Sequence, residues 1–384
     1  MERLGWVALV TATSTVVGFS YAAHAAVAPL MARDFGLDDV QVGLIATALY
    51  LASAVTMVVA GDFTDRYSPK AVNAWALALV IAGNAGVAVA PSYATLLVAR
   101  FVGGVGAGLG LLGGLAYVAR RYGDARPHFG QGMYGGGFPL GSAIALWSTP
   151  ALAARWDWRV AFLILTAVMV AVALLWLRVR PVPRRARGGG MRKAVWCGNC
   201  WWTALPHATG FCLALAAGTW ITIYILREFA LPLETSGLLG SLRLVGAVLA
   251  RPLGGIVLSR RHLSALAVMR GAQVANLAGL ALLIAPGRPL PVALAGAVAV
   301  GFGGGVSYAA VFNTAAASLR RAPGAAQGIT ALGGLVSALA AAPAMGFAIQ
   351  TSGFGAAWTL LAAISVVALA CSFLMRGEEG LAPD

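Results

Sequence analysis

The chain has 384 residues, 60% of them hydrophobic and only 10% charged. Soluble domains carry roughly 25% charge, so a soluble fold of this size is excluded. The formal net charge of +14 lies in short Lys/Arg clusters between apolar runs. That placement argues against a nucleic-acid partner and for a membrane protein oriented by its basic loops.

In chain order, apolar runs predict spanning helices at residues 4–30, 41–60, 71–90, 94–118, 130–150 and 160–177. The run after Arg3 is too long for a signal peptide and reads as an uncleaved first span. A basic stretch follows, with Arg178, Arg180, Arg184, Arg185, Arg187, Arg192, Lys193, Pro181 and Pro183. A second set of spans is predicted at 202–226, 236–258, 264–285, 291–316, 325–350 and 356–375. The runs are unbroken Ala/Val/Leu/Gly rather than alternating, so helices and not a closed barrel are expected. The expected fold is an all-α membrane protein with twelve transmembrane helices in two six-helix bundles. Residues 1–177 form the N-terminal bundle, 178–201 a basic cytoplasmic linker, and 202–384 the C-terminal bundle with a short tail.

Loops on the linker side hold eighteen bases: Arg3, Arg66, Lys70, Arg120, Arg121, Arg126, the seven of the linker, Arg260, Arg261, Arg320, Arg321 and Arg376. The opposite loops hold five: Arg33, Arg155, Arg159, Arg227 and Arg288. This asymmetry places both termini in the cytoplasm of a bacterial-type inner membrane. The halves also repeat. Gly61 to Arg66 and Gly255 to Arg260 close the second and eighth spans, 194 residues apart. Arg120-Arg121 and Arg320-Arg321 are 200 apart, and Gln131-Gly132 and Gln327-Gly328 are 196 apart. Parallel repeats of this size are a transporter plan.

Gly61-Asp62-Phe63-Thr64-Asp65-Arg66-Tyr67-Ser68-Pro69-Lys70 fits G-x-x-x-D-R-x-x-x-K/R and resembles the signature loop of the major facilitator superfamily. Arg100-Phe101-Val102-Gly103-Gly104-Val105-Gly106 is similar to that family's fourth-span motif, and Trp158-Arg159-Val160-Ala161-Phe162 to its sixth-span opening. The resemblance implies a secondary transporter working by alternating access. Gly61, Asp65, Arg66 and Lys70 would then act as a conformational lock. Ser259 stands where the second-half copy often has an acid, which weakens that copy of the lock.

Charges inside spans are costly and usually functional. Arg100, Arg243 and Arg251 stand inside the predicted spans, with His24 and His207 near span ends, and no Asp or Glu does. A cationic cavity for a small anion follows. Arg100 and Arg243 lie on the order of 10 Å in from the outer face. Arg251 lies towards the inner face, where a snorkelling or structural role is the alternative. Ala250-Arg251-Pro252-Leu253-Gly254-Gly255 resembles the eighth-span stretch of nitrate/nitrite porters, but Ala48 to Met57 lacks the second-span base of those porters. A larger organic anion held by Arg100 and Arg243 is the other reading. Tyr21 and His24 share a face, as do Trp220 and Tyr224. With Tyr308 and Asn313 they complete the candidate solute-binding set, beside Asn84, Tyr134 and Asn276, and each can also serve helix–helix hydrogen bonding. His24 could carry a coupling proton; a counter-anion is the alternative.

A competing reading is drug–proton efflux, from Gly132 to Gly141, where Phe138 splits the Gly-Pro pair of exporters. The lack of an intramembrane carboxylate counts against it. A scaffold or sensor without transport is the reading from another class. No enzyme is expected: HExxH is absent and the histidines are scattered. Cys197 and Cys200 form a CxxC beside Trp201-Trp202, half of a zinc site at most. No cofactor or metal is expected, and a functional monomer is. Gly108 to Gly113 satisfies G-x-G-x-x-G but lies mid-span, so it reads as helix packing.

Overall fold

A computed structural model describes residues 2–37, 39–122, 127–182 and 190–381. Arg126, Arg184, Arg185 and Arg187 of the charge count, and Pro183, lie outside the described residues. Helices dominate throughout. The first seven are α1 Glu2–Ala26, α2 Ala28–Phe35, α3 Asp39–Arg66, α4 Pro69–Ala88, α5 Tyr93–Tyr122, α6 Pro127–Arg155 and α7 Trp158–Leu177. The rest are α8 Met191–Trp196, α9 Gly198–Phe229, α10 Leu233–Ser259, α11 Ala265–Ile284, α12 Leu290–Val306, α13 Tyr308–Ser318 and α14 Pro323–Cys371, with a 3-10 turn at Glu378–Gly380.

Nine of the described helical stretches are long and apolar enough to cross a membrane, or ten when the bent pair Gly198–Gly218 and Trp220–Phe229 counts as one span. α14 is counted once there but holds two spans, because Gly353 breaks it at φ 82°. Only glycine adopts that backbone without strain. With the 29-residue α6, which carries Pro139 and Pro150 within it, the described helices fit a twelve-helix plan. Large apolar side chains such as Val55, Val98, Leu249 and Phe347 are more than half exposed. In water such a surface would be an aggregation hazard; in lipid it is the normal outer face. The protein is a multi-pass integral membrane protein.

The chain forms two compact units. One comprises Met1–Ala125 and Gly137–Met191; the other comprises Arg126–Gly136 and Arg192–Asp384. The division between them falls within α6. In the first unit, α5 packs against both α3 and α4. Its glycines make this possible. A Cβ at Gly108 would lie 2.7 Å from the Ser53 carbonyl of α3, and one at Gly106 would lie 2.7 Å from the Ala76 carbonyl of α4. In the second unit, α9 packs along α14 and α12 lies between α10 and α11. Tyr224, Trp358 and Phe354 fill the core between α9 and α14.

Four boundaries differ from the sequence reading. The first span ends at Ala26, and Pro29 opens the separate α2. α3 runs on to Arg66, so Asp62 and Asp65 stand in its last two turns rather than in a loop. The linker region 178–201 contains α8 and the first turn of α9, with Cys200 fully buried. The tenth span is split at Ser307 into α12 and α13. In each case the apolar run marked the span, while helix ends and breaks were set by residues that hydropathy does not weigh.

Candidate functional site

Arg100 lies two turns into α5 and is 2% exposed. Its Nε donates to the Ile45 carbonyl at 3.2 Å, Nη1 to the Ser20 carbonyl at 2.9 Å, and Nη2 to His24 Nδ1 at 2.9 Å. The guanidinium thus ties α1 and α3 to α5. Arginine can only donate, so the imidazole accepts at Nδ1 and carries its proton on Nε2. A proton added at Nδ1 would break this bond and set two cations in contact. That geometry does not favour His24 as the coupling-proton carrier. Nearby, Tyr21 shares a 2.5 Å hydrogen bond with Ser53 and stacks on Tyr50 with ring centroids 5.3 Å apart. Asn84 donates to Ser20 Oγ at 3.1 Å. Tyr21, His24 and Arg100 are therefore brought together, all within the first unit.

Two arginines stand on α10 in the second unit, about 12 Å apart along the axis by helical rise. Arg243 is 5% exposed and donates through Nη1 to the Leu213 carbonyl at 3.1 Å. Its Nε is buried and has no hydrogen-bond partner among the described residues. The head group lies against Gly218, where a Cβ would come within 2.7 Å of Nη2. α9 bends by 51° just beyond, between Gly218 and Trp220. Arg243 thus has donors to spare beside a broken helix. An oxyanion placed there would meet an unsatisfied, desolvated N–H, whose cost is about 1–3 kcal/mol when left unmet.

Arg251 donates through Nη1 to the Gly135 carbonyl at 2.5 Å, and its Cζ lies 4.5 Å from the Tyr308 ring centroid. His207 and Tyr308 each pack on Phe312 with centroids 4.8 Å apart. Arg251 is therefore anchored by a carbonyl and an aromatic face within the same unit. Trp220 packs on Gly346 of α14. Tyr224 instead belongs to the core: its hydroxyl accepts from Arg288 Nε, and it packs edge-on against Phe354 and Trp358. Asn313 donates to His128 Nδ1 at 2.9 Å.

At the end of α3, Asp65 is 1% exposed and lies 3.7 Å from Arg120 Nη2. The same nitrogen donates to the Thr64 carbonyl at 2.5 Å. An acid in the last turn of a helix opposes the helix dipole, and Arg120 answers both the acid and the terminal carbonyl. Arg66 pairs with Asp62 at 2.7 Å, one turn back towards Gly61. Lys70 donates to the Leu177 carbonyl at 2.8 Å, which ties α4 to the end of α7.

The family model described as Major Facilitator Superfamily matches residues 10–205. The chain belongs to the major facilitator superfamily. Among curated relatives it is 27% identical over 245 residues to the probable nitrate/nitrite antiporter NarK1 of Thermus thermophilus, covering 59% of this chain and 55% of that protein. It is 28% identical over 294 residues to the probable sulfoacetate transporter SauU of Cupriavidus necator, covering 67% and 66%. The matches thus span between half and two thirds of these relatives' own lengths. Among solved structures, the proton:xylose symporter XylE has the same fold, with a TM-score of 0.82 at 12% identity over 98% of this chain and 97% of that one.

Several residues of this superfamily member went unnoticed in the sequence. Arg270 is a fourth base within a spanning helix, α11; it donates to Ser372 Oγ and to the Ser372 carbonyl at 3.2 and 3.1 Å. Arg120 counts in the sequence as a cytoplasmic-side base and a repeat marker, with no sign of its contact with Asp65. His128, at the start of α6, approaches Glu378 of the C-terminal tail at 3.3 Å. Nothing in spacing or hydropathy signals these contacts, because the partners are backbone carbonyls or residues distant in the chain.

Proposed function

We propose that the protein is a secondary active transporter that moves a small organic anion by alternating access, with both termini cytoplasmic in a bacterial-type inner membrane. The observation that carries this reading is Arg243: a buried guanidinium in a spanning helix that has, among the described residues, one hydrogen bond and a buried, unpartnered Nε. Unpaired buried cations need anionic partners. The adjacent bend in α9 supports it, because irregular backbone at membrane depth is tolerated where it lines a cavity. Arg251, set on Tyr308, is a second buried arginine on the same helix. Arg100 has the geometry of a brace, with three protein acceptors. Relatives named for nitrate/nitrite and for sulfoacetate agree with an anionic solute. The base-free stretch Ala48 to Met57 favours the organic acid over nitrate.

The test is charge translocation by the purified protein in liposomes, against a panel of nitrate, nitrite, short sulfonates, short carboxylates and cationic dyes. Wild type should respond to one anion class, and Arg243→Gln should lose the response. A clear response to cationic dyes that Arg243→Gln leaves intact would sink the proposal.

A further inference from the structure

Beyond the solute path, the first unit carries a cavity of about 300 Å³ lined by Trp6, Leu9, Tyr117, Arg121, Leu175, Arg178, Val179 and Arg180. Three elements build it: the start of α1, the end of α5, and the end of α7 with the turn that follows. Every lining residue lies within four residues of the end of a membrane-spanning stretch, these being Trp6–Ala26, Tyr93–Arg121 and Trp158–Leu177. The cavity is therefore at the depth of lipid headgroups. Tyr117 is 1% exposed and donates its hydroxyl to the Arg180 carbonyl at 2.9 Å, which fixes the turn carrying Arg178 and Arg180 over the cavity. Arg121 lies over the Trp6 ring, 5.4 Å from its centroid. Among the described residues, none of the three arginines pairs with a carboxylate.

Arginines at the ends of α5 and α7 would favour those helix C-termini in any case. That effect explains their presence but not a cavity between three helices that gathers them around apolar walls. We propose that this cavity binds the phosphate headgroup of an anionic phospholipid. Arg121, Arg178 and Arg180 take the phosphate oxygens, since guanidinium forks match phosphate geometry. Leu9, Leu175 and Val179 take the glycerol and the first acyl methylenes. Leu175 is 47% exposed, so the acyl chains leave along it into the bilayer. A free inorganic anion would use the arginines but has no use for the apolar wall, which selects the lipid over soluble phosphate.

The test is retention of phosphatidylglycerol against phosphatidylcholine by the purified full-length protein, titrated after delipidation and read by native mass spectrometry. Wild type should prefer phosphatidylglycerol. The triple variant Arg121→Gln, Arg178→Gln, Arg180→Gln should weaken it roughly a hundredfold, at roughly fivefold per arginine. A control triple, Arg192→Gln, Arg260→Gln, Arg321→Gln, removes the same charge outside the cavity lining and should stay within about twofold, because exposed charges beyond a Debye length are screened. Leu9→Trp keeps every charge, fills the cavity and should also lose the preference, which covers the case in which the triple variant folds poorly. Equal affinity in wild type and the first triple, an equal loss in the control triple, or full affinity in Leu9→Trp would each overturn the proposal. Displacement of the lipid by millimolar inorganic phosphate would overturn the choice of lipid over free anion.

Discussion

Arg100 in the first unit and Arg243 in the second are alike in sequence terms: an arginine well inside an apolar helix, with no acid near. Their surroundings differ. Arg100 gives each of its three nitrogens to a protein acceptor on α1 or α3, whereas Arg243, among the described residues, gives one and leaves Nε buried without a partner. A buried cation can therefore be a brace or a grip, and the acceptor count separates the two. Carbonyl dipoles and an imidazole lone pair compensate Arg100 in place, so its charge is part of the fold. The charge on Arg243 is compensated in part, and a ligand can supply the rest.

The largest effect that would break this comparison is on stability. Arg100→Gln should destabilise the protein by about 3 kcal/mol or more, because three buried acceptors lose their donor. A thermal melt in detergent reads this, and an unchanged melting temperature would make Arg100 dispensable to the fold. Arg100→Lys should rescue little, since a point charge cannot reach three acceptors at once. Next comes Arg243→Gln. It should melt at or above the wild-type temperature, because an unmet buried donor is removed, while apparent solute affinity falls by about 2 kcal/mol or more, roughly thirtyfold. Loss of stability without loss of affinity would reverse the two roles.

Gly218→Ala sharpens the same point with no change of charge. Its Cβ would press on Arg243 Nη2 from 2.7 Å and move the head group. Affinity should fall roughly tenfold with the fold intact, as measured by uptake at varied solute concentration; an unaltered affinity would mean that the head group's position is irrelevant. The smallest effect is expected at Arg66→Gln. The Arg66–Asp62 pair is solvent-exposed on the arginine side, at 54%. Such pairs contribute less than about 1 kcal/mol, so the melting temperature should barely move. A large drop would show that the signature segment is held by Arg66 rather than by the buried Arg120–Asp65 contact.

The twelve spans were legible because apolar runs of bilayer length have no other stable use. The glycines of α5 were legible as a packing surface, and the structure shows which face each serves: Gly108 against α3, Gly106 against α4. Helix ends were less legible. Charged residues such as Asp62 and Asp65 sit in the last turns of α3 although hydropathy ends the span before them. The breaks at Val27, Ser307 and Gly353 depend on local backbone geometry within apolar sequence. The difference between Arg100 and Arg243 could not be read at all. It rests on the carbonyls of Ser20, Ile45 and Leu213, and every residue has a carbonyl. Arg251 and Arg270 repeat that lesson, each donating to a main-chain oxygen far away in the chain.

The claim at the centre is that Arg243 holds an anion. Thermal-shift titration of purified wild type and Arg243→Gln with the same anion panel tests it without transport. A ligand that binds only the folded state raises the melting temperature in proportion to the logarithm of its concentration above Kd. Wild type should be stabilised by one class of organic anion, and Arg243→Gln should show no shift until the concentration is raised roughly thirtyfold. Equal shifts in both proteins, or shifts with cationic dyes alone, would contradict it.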